Sequence, residues 1–234
     1  MTFLITGATG DVGSRVVEHL LERGARPRVF VRDSDKAQAL FGDRVEVFVG
    51  DLGDPPSLRA ALEGIDAVFL VNTGPSIPAR DEAAADAART AGVKQLVKLS
   101  SLDVERGLAI GAWHERGEAA IRASGMPFSF VRPSGFMSNL LAWASSIKAE
   151  GVVRASTGDG RRAFIHSDDI AAVVVKALTS RVYDGQSLPI TGPEALTFAE
   201  VTARIGAAIN KRLTFQPISD EQARQRYSRI RPAG

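Results

Sequence analysis

Gly7-Ala8-Thr9-Gly10-Asp11-Val12-Gly13 stands between a short apolar, β-rich run at residues 2–6 and a helical pattern in which Val12, Val16, Leu20 and Leu21 share one face. Three glycines at this spacing, closing a strand and opening a helix, answer a specific chemical demand. A pyrophosphate is large and anionic, so it needs backbone N–H groups, a helix N-terminus and no side chains in its way. Gly7 suits the tight turn, Gly10 the close approach of the phosphates and Gly13 the packing of helix on strand. A lone glycine triplet is weak evidence, but in a strand–turn–helix context it points to a dinucleotide. Thr9, Asp11 and Val12 complete the expected contact surface.

Outward from this turn, strand and helix alternate. Strands are expected at residues 28–31, 45–49, 67–71, 95–99 and 128–131, and helices at 34–40, 55–62, 79–91 and 111–123. Repeating β-α units imply an α/β fold with a doubly wound parallel sheet, a Rossmann architecture. The rhythm changes after Pro133. Residues 135–150 read as one helix with an apolar stripe, 162–166 as a strand and 169–179 as a helix. The segments 187–191, 198–209 and 213–217 read as a return to the sheet plus a small lobe. The expected division is a nucleotide-binding domain over 1–155 and, over 156–234, strands returning to the sheet with a small C-terminal substrate lobe, whose truncation stays open.

The end of the second strand sorts NAD from NADP, because a carboxylate there suits a ribose 2′-hydroxyl and a cation suits a 2′-phosphate. Arg32 follows Val31 directly and Lys36 lies one helical turn on, which favours NADP (NADPH) over NAD. Asp33 is the competing carboxylate, although a helix N-cap role would account for it without a cofactor. Asp51 and Leu52, past the third strand, border the expected adenine site; Asp51 equally suits a turn cap. Asn72, Thr73 and Gly74 form a turn at the carboxyl edge of the sheet, beside the expected ribose and nicotinamide.

Composition narrows the partners. The 234 residues carry 29 basic and 27 acidic side chains, with no basic block long enough to read as a nucleic-acid arm. Arg161-Arg162 and the tail bearing Arg224, Arg226, Arg229 and Arg231 read as solvated faces. There is no cysteine, which excludes disulfides, thiolate metal sites and a cysteine nucleophile. His166, Asp168 and Asp169 end a strand and cap a helix, and no second ligand cluster accompanies them, so no metal is expected. His19 is expected to face solvent. No apolar run approaches the roughly 20 residues that span a bilayer, and a first strand beginning at Thr2 leaves no room for a cleavable signal, so the expected location is cytoplasmic, with no membrane association.

Residues 3–13, 31–37, 49–54, 94–101, 113–125, 131–139 and 165–178 together resemble the NmrA-like group of atypical short-chain dehydrogenases/reductases, specifically its bacterial NAD(P)H:quinone oxidoreductase and triphenylmethane reductase branch. The most diagnostic stretches are Trp113-His114 through Glu118 and Arg132-Pro133-Ser134-Gly135-Phe136-Met137-Ser138-Asn139. The resemblance implies a Rossmann domain, NADP(H) and a small substrate lobe.

Classical members of that superfamily place tyrosine and lysine at i and i+4, the lysine lowering the phenol pKa for proton exchange with an alcohol or ketone. Tyr183 and Tyr227, the two tyrosines present, are followed at i+4 by Ser187 and Arg231, and His114 and Glu118 stand at the expected dyad position. Reducing an ordinary ketone builds an alkoxide that needs a strong acid, whereas a quinone or a cationic dye yields a delocalised, weakly basic product. Water, or an imidazole with a reference pKa of about 6.5, suffices for such a product.

The expected reaction is therefore hydride transfer from NADPH to a quinone or similar electron-poor aromatic acceptor. His114 and Ser100 are the candidate catalytic residues, although a hydrogen bond within the sheet–helix interface or to Glu118 would account for His114 without chemistry. Ser100 with Pro133, Ser134, Gly135 and Phe136 is expected to border the nicotinamide. Ser101, His114, Phe136, Met137, Asn139 and Trp143 are expected to bound the substrate, with core packing an equal account of the apolar ones and loop capping of the serines. A non-catalytic NADP(H)-binding redox sensor is the alternative, and a homodimer through exposed helices stays open.

Overall fold

The computed structural model describes residues 1–107 and 109–230, with side chains described except at 109 and 226–230. Arg226, Tyr227, Arg229 and Arg231, singled out above, lie outside those described side chains. Strands and helices alternate through β1 (Phe3–Thr6), α1 (Asp11–Glu22), β2 (Arg28–Val31), α2 (Ser34–Phe41), β3 (Glu46–Val49), α3 (Pro55–Ala61), β4 (Ala67–Leu70), α4 (Ile77–Thr90), β5 (Gln95–Leu99), α5 (Ala109–Ala123) and β6 (Phe128–Pro133). The chain continues through α6 (Ala144–Glu150), β7 (Val152–Ala155), β8 (Arg161–Arg162), α7 (Ser167–Leu178) and β9 (Gln186–Ile190). It then runs through β10 (Leu196–Thr197), α8 (Phe198–Ala208), β11 (Thr214–Pro217) and α9 (Asp220–Ile230).

Seven strands form one parallel sheet in the order β3-β2-β1-β4-β5-β6-β9. The Rossmann expectation is met. Strands β1, β4 and β5 are buried along their whole length, as a sheet covered on both faces requires. On one face Leu4, Phe30, Leu70, Leu96 and Phe130 pack with Leu58, Leu62, Ala84, Ala88 and Ile121 of the helices. Ile170 and Val174 of α7 are fully buried among the remaining core residues. Helix ends follow from short polar side chains: Asp33 accepts from the Lys36 amide at 3.0 Å to start α2, and Thr197 with Glu200 forms a reciprocal capping box on α8.

The chain divides into two compact units, and not at residue 155. The first comprises Met1–Ser134 with Ile165–Ile190; the second comprises Gly135–Phe164 with the described part of Thr191–Gly234. Helix α7 and strand β9 thus belong to the nucleotide-binding unit, because β9 completes the sheet beside β6. Three further expectations are corrected. Residues 135–150 are not one helix: Met137–Trp143 is a 3-10 segment preceding α6, with the Asn139 amide closing onto the Phe136 carbonyl at 3.1 Å. The expected strand at 162–166 is reduced to β8, paired antiparallel with β10. His19 does not face solvent; its side chain is 17% exposed and its Nε2 lies 3.0 Å from Asp168 Oδ1. Among the described residues no helix is long and apolar enough to cross a membrane.

Candidate cofactor and active site

Strand order reverses between β1 and β4, so the loops after these strands diverge and leave a crevice at their carboxyl ends. Thr6 fastens this point: its hydroxyl donates to the Phe69 carbonyl at 3.1 Å and accepts from the Val71 amide at 2.8 Å. The glycine turn opens onto the crevice. Gly7 has φ +60, a left-handed conformation that favours glycine. A Cβ on Gly13 would stand 2.1 Å from the Gly7 carbonyl oxygen, and one on Gly10 would stand 3.1 Å from the same atom. Gly13 is thus demanded by packing. Gly10 is the N-cap of α1 and offers no side-chain hydrogen bond, so the first amides of α1 face outward without a competing cap. This bare cradle, with a helix N-terminus behind it, fits a dinucleotide pyrophosphate.

The adjoining cleft has a volume of about 240 Å³ and is lined by Gly7, Thr9, Val31, Arg32, Asp51, Leu52, Asn72 and Thr73. Seven residues assigned from sequence therefore converge: Gly7, Thr9, Arg32, Asp51, Leu52, Asn72 and Thr73. Lys36 is exposed on α2 and Gly74 lies at φ +79 in the following turn; neither lines this cleft. The Arg32 side chain is 84% exposed and its Nε is 4.0 Å from Asp51 Oδ2, leaving the guanidinium accessible to a ligand. Asp51 also accepts from the Gly53 amide at 2.7 Å, so it caps its turn and borders the cleft at once. Sequence reasoning misses Arg80 of α4: its Nη2 lies 3.6 Å from Asp51 Oδ1 and it lines the cleft. Only the crossover that carries α4 back to the switch point brings it there.

A second polar cluster lies across α4, α5, β5 and β6. Glu118, with no exposed surface, receives Ser100 Oγ at 2.6 Å, Arg132 Nε at 2.9 Å and Nη2 at 2.5 Å, and Arg122 Nη2 at 3.1 Å. Burial pushes the Glu118 carboxyl up, but the hydrogen bonds from Arg132 and Ser100 and the charges of Arg132 and Arg122 outweigh it, holding it below the usual carboxylate range. His114, one turn earlier on α5, is 8% exposed. Burial, reinforced by the Lys98 charge and opposed by Glu118, pushes its imidazole down to about 4, so it is neutral near pH 7. Ser101 accepts from the Asp103 amide at 3.1 Å, an ordinary cap.

Beneath these groups Lys98 Nζ meets Asp81 Oδ2 at 2.7 Å, both side chains fully buried. The Asn72 amide nitrogen donates to the other carboxylate oxygen of Asp81 at 2.6 Å. A Cβ on Gly117 would fall 2.1 Å from Asp81 Oδ2, so the glycine beside Glu118 lets α5 close over this pair. Sequence reasoning singles out none of Asp81, Lys98 and Gly117. A lysine amid a buried strand is the available signal.

Pro133 ends β6, buried, and the Ser134 amide donates to the Ile190 carbonyl at 3.0 Å. The other acceptor-site candidates belong to the second unit. Trp143 stacks edgewise on Phe198 with ring centroids 5.3 Å apart, and Phe198 meets Phe164 at 5.8 Å. Phe136 is partly buried, Met137 is 40% exposed and Asn139 is exposed. His166 caps α7, its Nδ1 accepting from the Asp168 amide at 3.2 Å. Among the described residues no group of three or more metal-ligating side chains converges.

A sheet of this order with a bare glycine cradle at its switch point defines a dinucleotide-binding α/β protein. The chain belongs to the NAD(P)H-binding family, whose model matches residues 7–181, and like its named relatives is an NAD(P)H-dependent oxidoreductase. It is 43% identical over 224 residues, 94% of this chain and 78% of the relative, to a (4-alkanoyl-5-oxo-2,5-dihydrofuran-3-yl)methyl phosphate reductase of Streptomyces griseus. It is 39% identical to an NAD(P)H azoreductase of Xenophilus azovorans, covering 95% and 79% of the two chains. Among solved structures it is similar to the NADPH-dependent quinone oxidoreductase of Escherichia coli in complex with NADPH, with a TM-score of 0.89 at 26% identity over 98% of this chain and 83% of the other. These likenesses bear out the resemblance to the NmrA-like branch.

Proposed function

We propose that the chain is an NADPH-dependent reductase that delivers hydride to an electron-poor conjugated acceptor of quinone type. The observation that carries the reading is the state of the i, i+4 pair on α5. His114 is a buried, neutral imidazole, and Glu118 is locked in an ion pair with Arg132. Neither is a strong acid near neutrality, which suits an acceptor whose reduced form is delocalised and weakly basic. The relatives' names fit one pattern: a quinone, an azo group, and a ring alkene conjugated to two carbonyls and bearing a methyl phosphate are all electron-poor π systems.

The bound nicotinamide would supply the hydride. The α1 amides hold the pyrophosphate, and Arg32 meets the 2′-phosphate, which favours NADPH over NADH. Arg80 keeps Asp51 oriented toward the adenosine end. Ser100 donates its proton to Glu118, so its role in this reading is to position the end of β5 beside the nicotinamide. His114 offers a neutral N–H as hydrogen-bond donor, and water supplies the remaining proton. Met137 and Asn139 bind the acceptor in this reading, while Phe136 and Trp143 give it apolar surface.

The test is oxidation of NADPH, followed at the reduced-nicotinamide absorbance, with a panel of quinones and azo compounds. Steady turnover supports the reductase. Tight NADPH binding with no oxidation by any member of the panel would favour a redox sensor.

A further inference from the structure

Strand β8 is only two residues long, and its two arginines have different fates. Arg161 is tied into the fold: its guanidinium bonds the Ala195 carbonyl at 3.0 Å and Glu200 at 3.1 and 3.3 Å. Arg162 projects to the opposite face, as alternation along a strand dictates. There it lies across the Cα of Gly135: a Cβ on that glycine would stand 2.6 Å from Arg162 Cδ and 3.0 Å from its Nη1. Gly135 is therefore the residue that makes room for this side chain.

Among the described residues, Arg162 is the one partly buried arginine that no hydrogen bond or ion pair satisfies. Three carboxylates of the same unit are committed elsewhere, Glu150 to Arg154, Glu194 to Arg204 and Glu200 to Arg161. The Arg162 stem packs over Gly135, whereas none of its guanidinium nitrogens is among the buried unpartnered atoms, so the charged head is open to an anion from solution. The guanidinium's planar fork matches the paired oxygens of phosphate, sulfonate or carboxylate. Phe164 stands beside it, with Cδ1 3.3 Å from where a Gly135 Cβ would lie, and its ring meets that of Phe198. A free guanidinium at an aromatic wall is suited to a flat π system that carries an oxyanion.

We infer that Arg162 binds an anionic substituent, a phosphate or its sulfonate equivalent, on the conjugated acceptor. The inference rests on the reductase reading for its substrate, and on Arg162 and Gly135 alone for its site.

Two quinones test it: one with a sulfonate on a methylene side chain insulated from the ring, and its uncharged methyl sulfone twin. The wild type is expected to show a KM for the sulfonate lower by about tenfold. Arg162→Gln should raise that KM to the level of the twin while leaving kcat, and KM for the twin, unchanged; Arg162→Lys should recover part of the preference. Inorganic phosphate should compete with the sulfonated quinone in the wild type and not in R162Q. An equal effect of R162Q on both twins, or a wild-type preference for the neutral one, overturns the proposal. If neither twin is reduced, the quinone-type acceptor fails, and titration of the Arg162 Nε–H resonance with inorganic phosphate decides the site alone: a saturable shift supports it and no shift overturns it.

Discussion

Lys98 and Asp81 meet at 2.7 Å with neither side chain touching solvent, and Asp81 also anchors the amide of Asn72 at the cleft wall. Removing one charge strands the other. Asp81→Asn or Lys98→Met alone should lower unfolding free energy by about 3–5 kcal/mol. The double variant D81N/K98M keeps an acceptor for Asn72 and should recover most of the loss. Urea midpoints at neutral pH measure the difference, and equal loss in the double variant would show that the pair is not the cause.

The same buried ground makes His114 a source of acid sensitivity. Its pKa is about 4 in the fold against about 6.5 in an unfolded chain, so between these values the native state binds fewer protons than the unfolded one. Stability from this group is present above pH 6.5 and is lost as pH falls through the folded pKa, by about 3 kcal/mol in all. Glu118, also held low, acts in the same direction at still lower pH. His114→Gln should flatten the stability profile between pH 6.5 and 4.5; an unchanged slope would refute the assignment.

Gly10 and Gly13 separate binding from folding. An alanine at position 13 would drive its Cβ into the Gly7 carbonyl, so Gly13→Ala should cost about 1–3 kcal/mol through displaced packing and abolish cofactor binding. Gly10→Ala meets only a 3.1 Å contact. It should leave the melting temperature near wild type while weakening NADPH and NADH alike, as calorimetry would record.

Arg32 and Arg80 flank Asp51 from opposite sides and should fail differently. Arg32→Glu removes the partner of a 2′-phosphate and should weaken NADPH by about tenfold or more, with little effect on NADH. Arg80→Leu releases Asp51 at the adenosine end and should raise KM for both coenzymes to a similar degree. Reversed behaviour would exchange the two roles.

The glycine turn is legible in the sequence because its constraint is local: φ at Gly7 and the collision at Gly13 involve residues six apart. The parallel sheet is legible because β1, β4 and β5 are short apolar runs between helical patterns. Arg80 and Asp81 are not, since an alanine-rich helix pattern does not say which of its charges turns inward, and Lys98 in β5 has its partner on that helix, seventeen positions away. His19 escapes for the same reason: its partner Asp168 lies 149 positions away. A single boundary at residue 155 fails because hydrophobic periodicity marks elements and is silent on which sheet an element joins.

The nucleotide-binding unit takes its last strand from Gln186–Ile190, after the chain has spent Gly135–Phe164 in the other unit. During synthesis the sheet must therefore wait with an unpaired β6 edge until roughly fifty further residues leave the ribosome, a stage at which exposed strand edges invite misassociation. Exchanging the second unit for a relative's would require two grafts, because no single cut frees it.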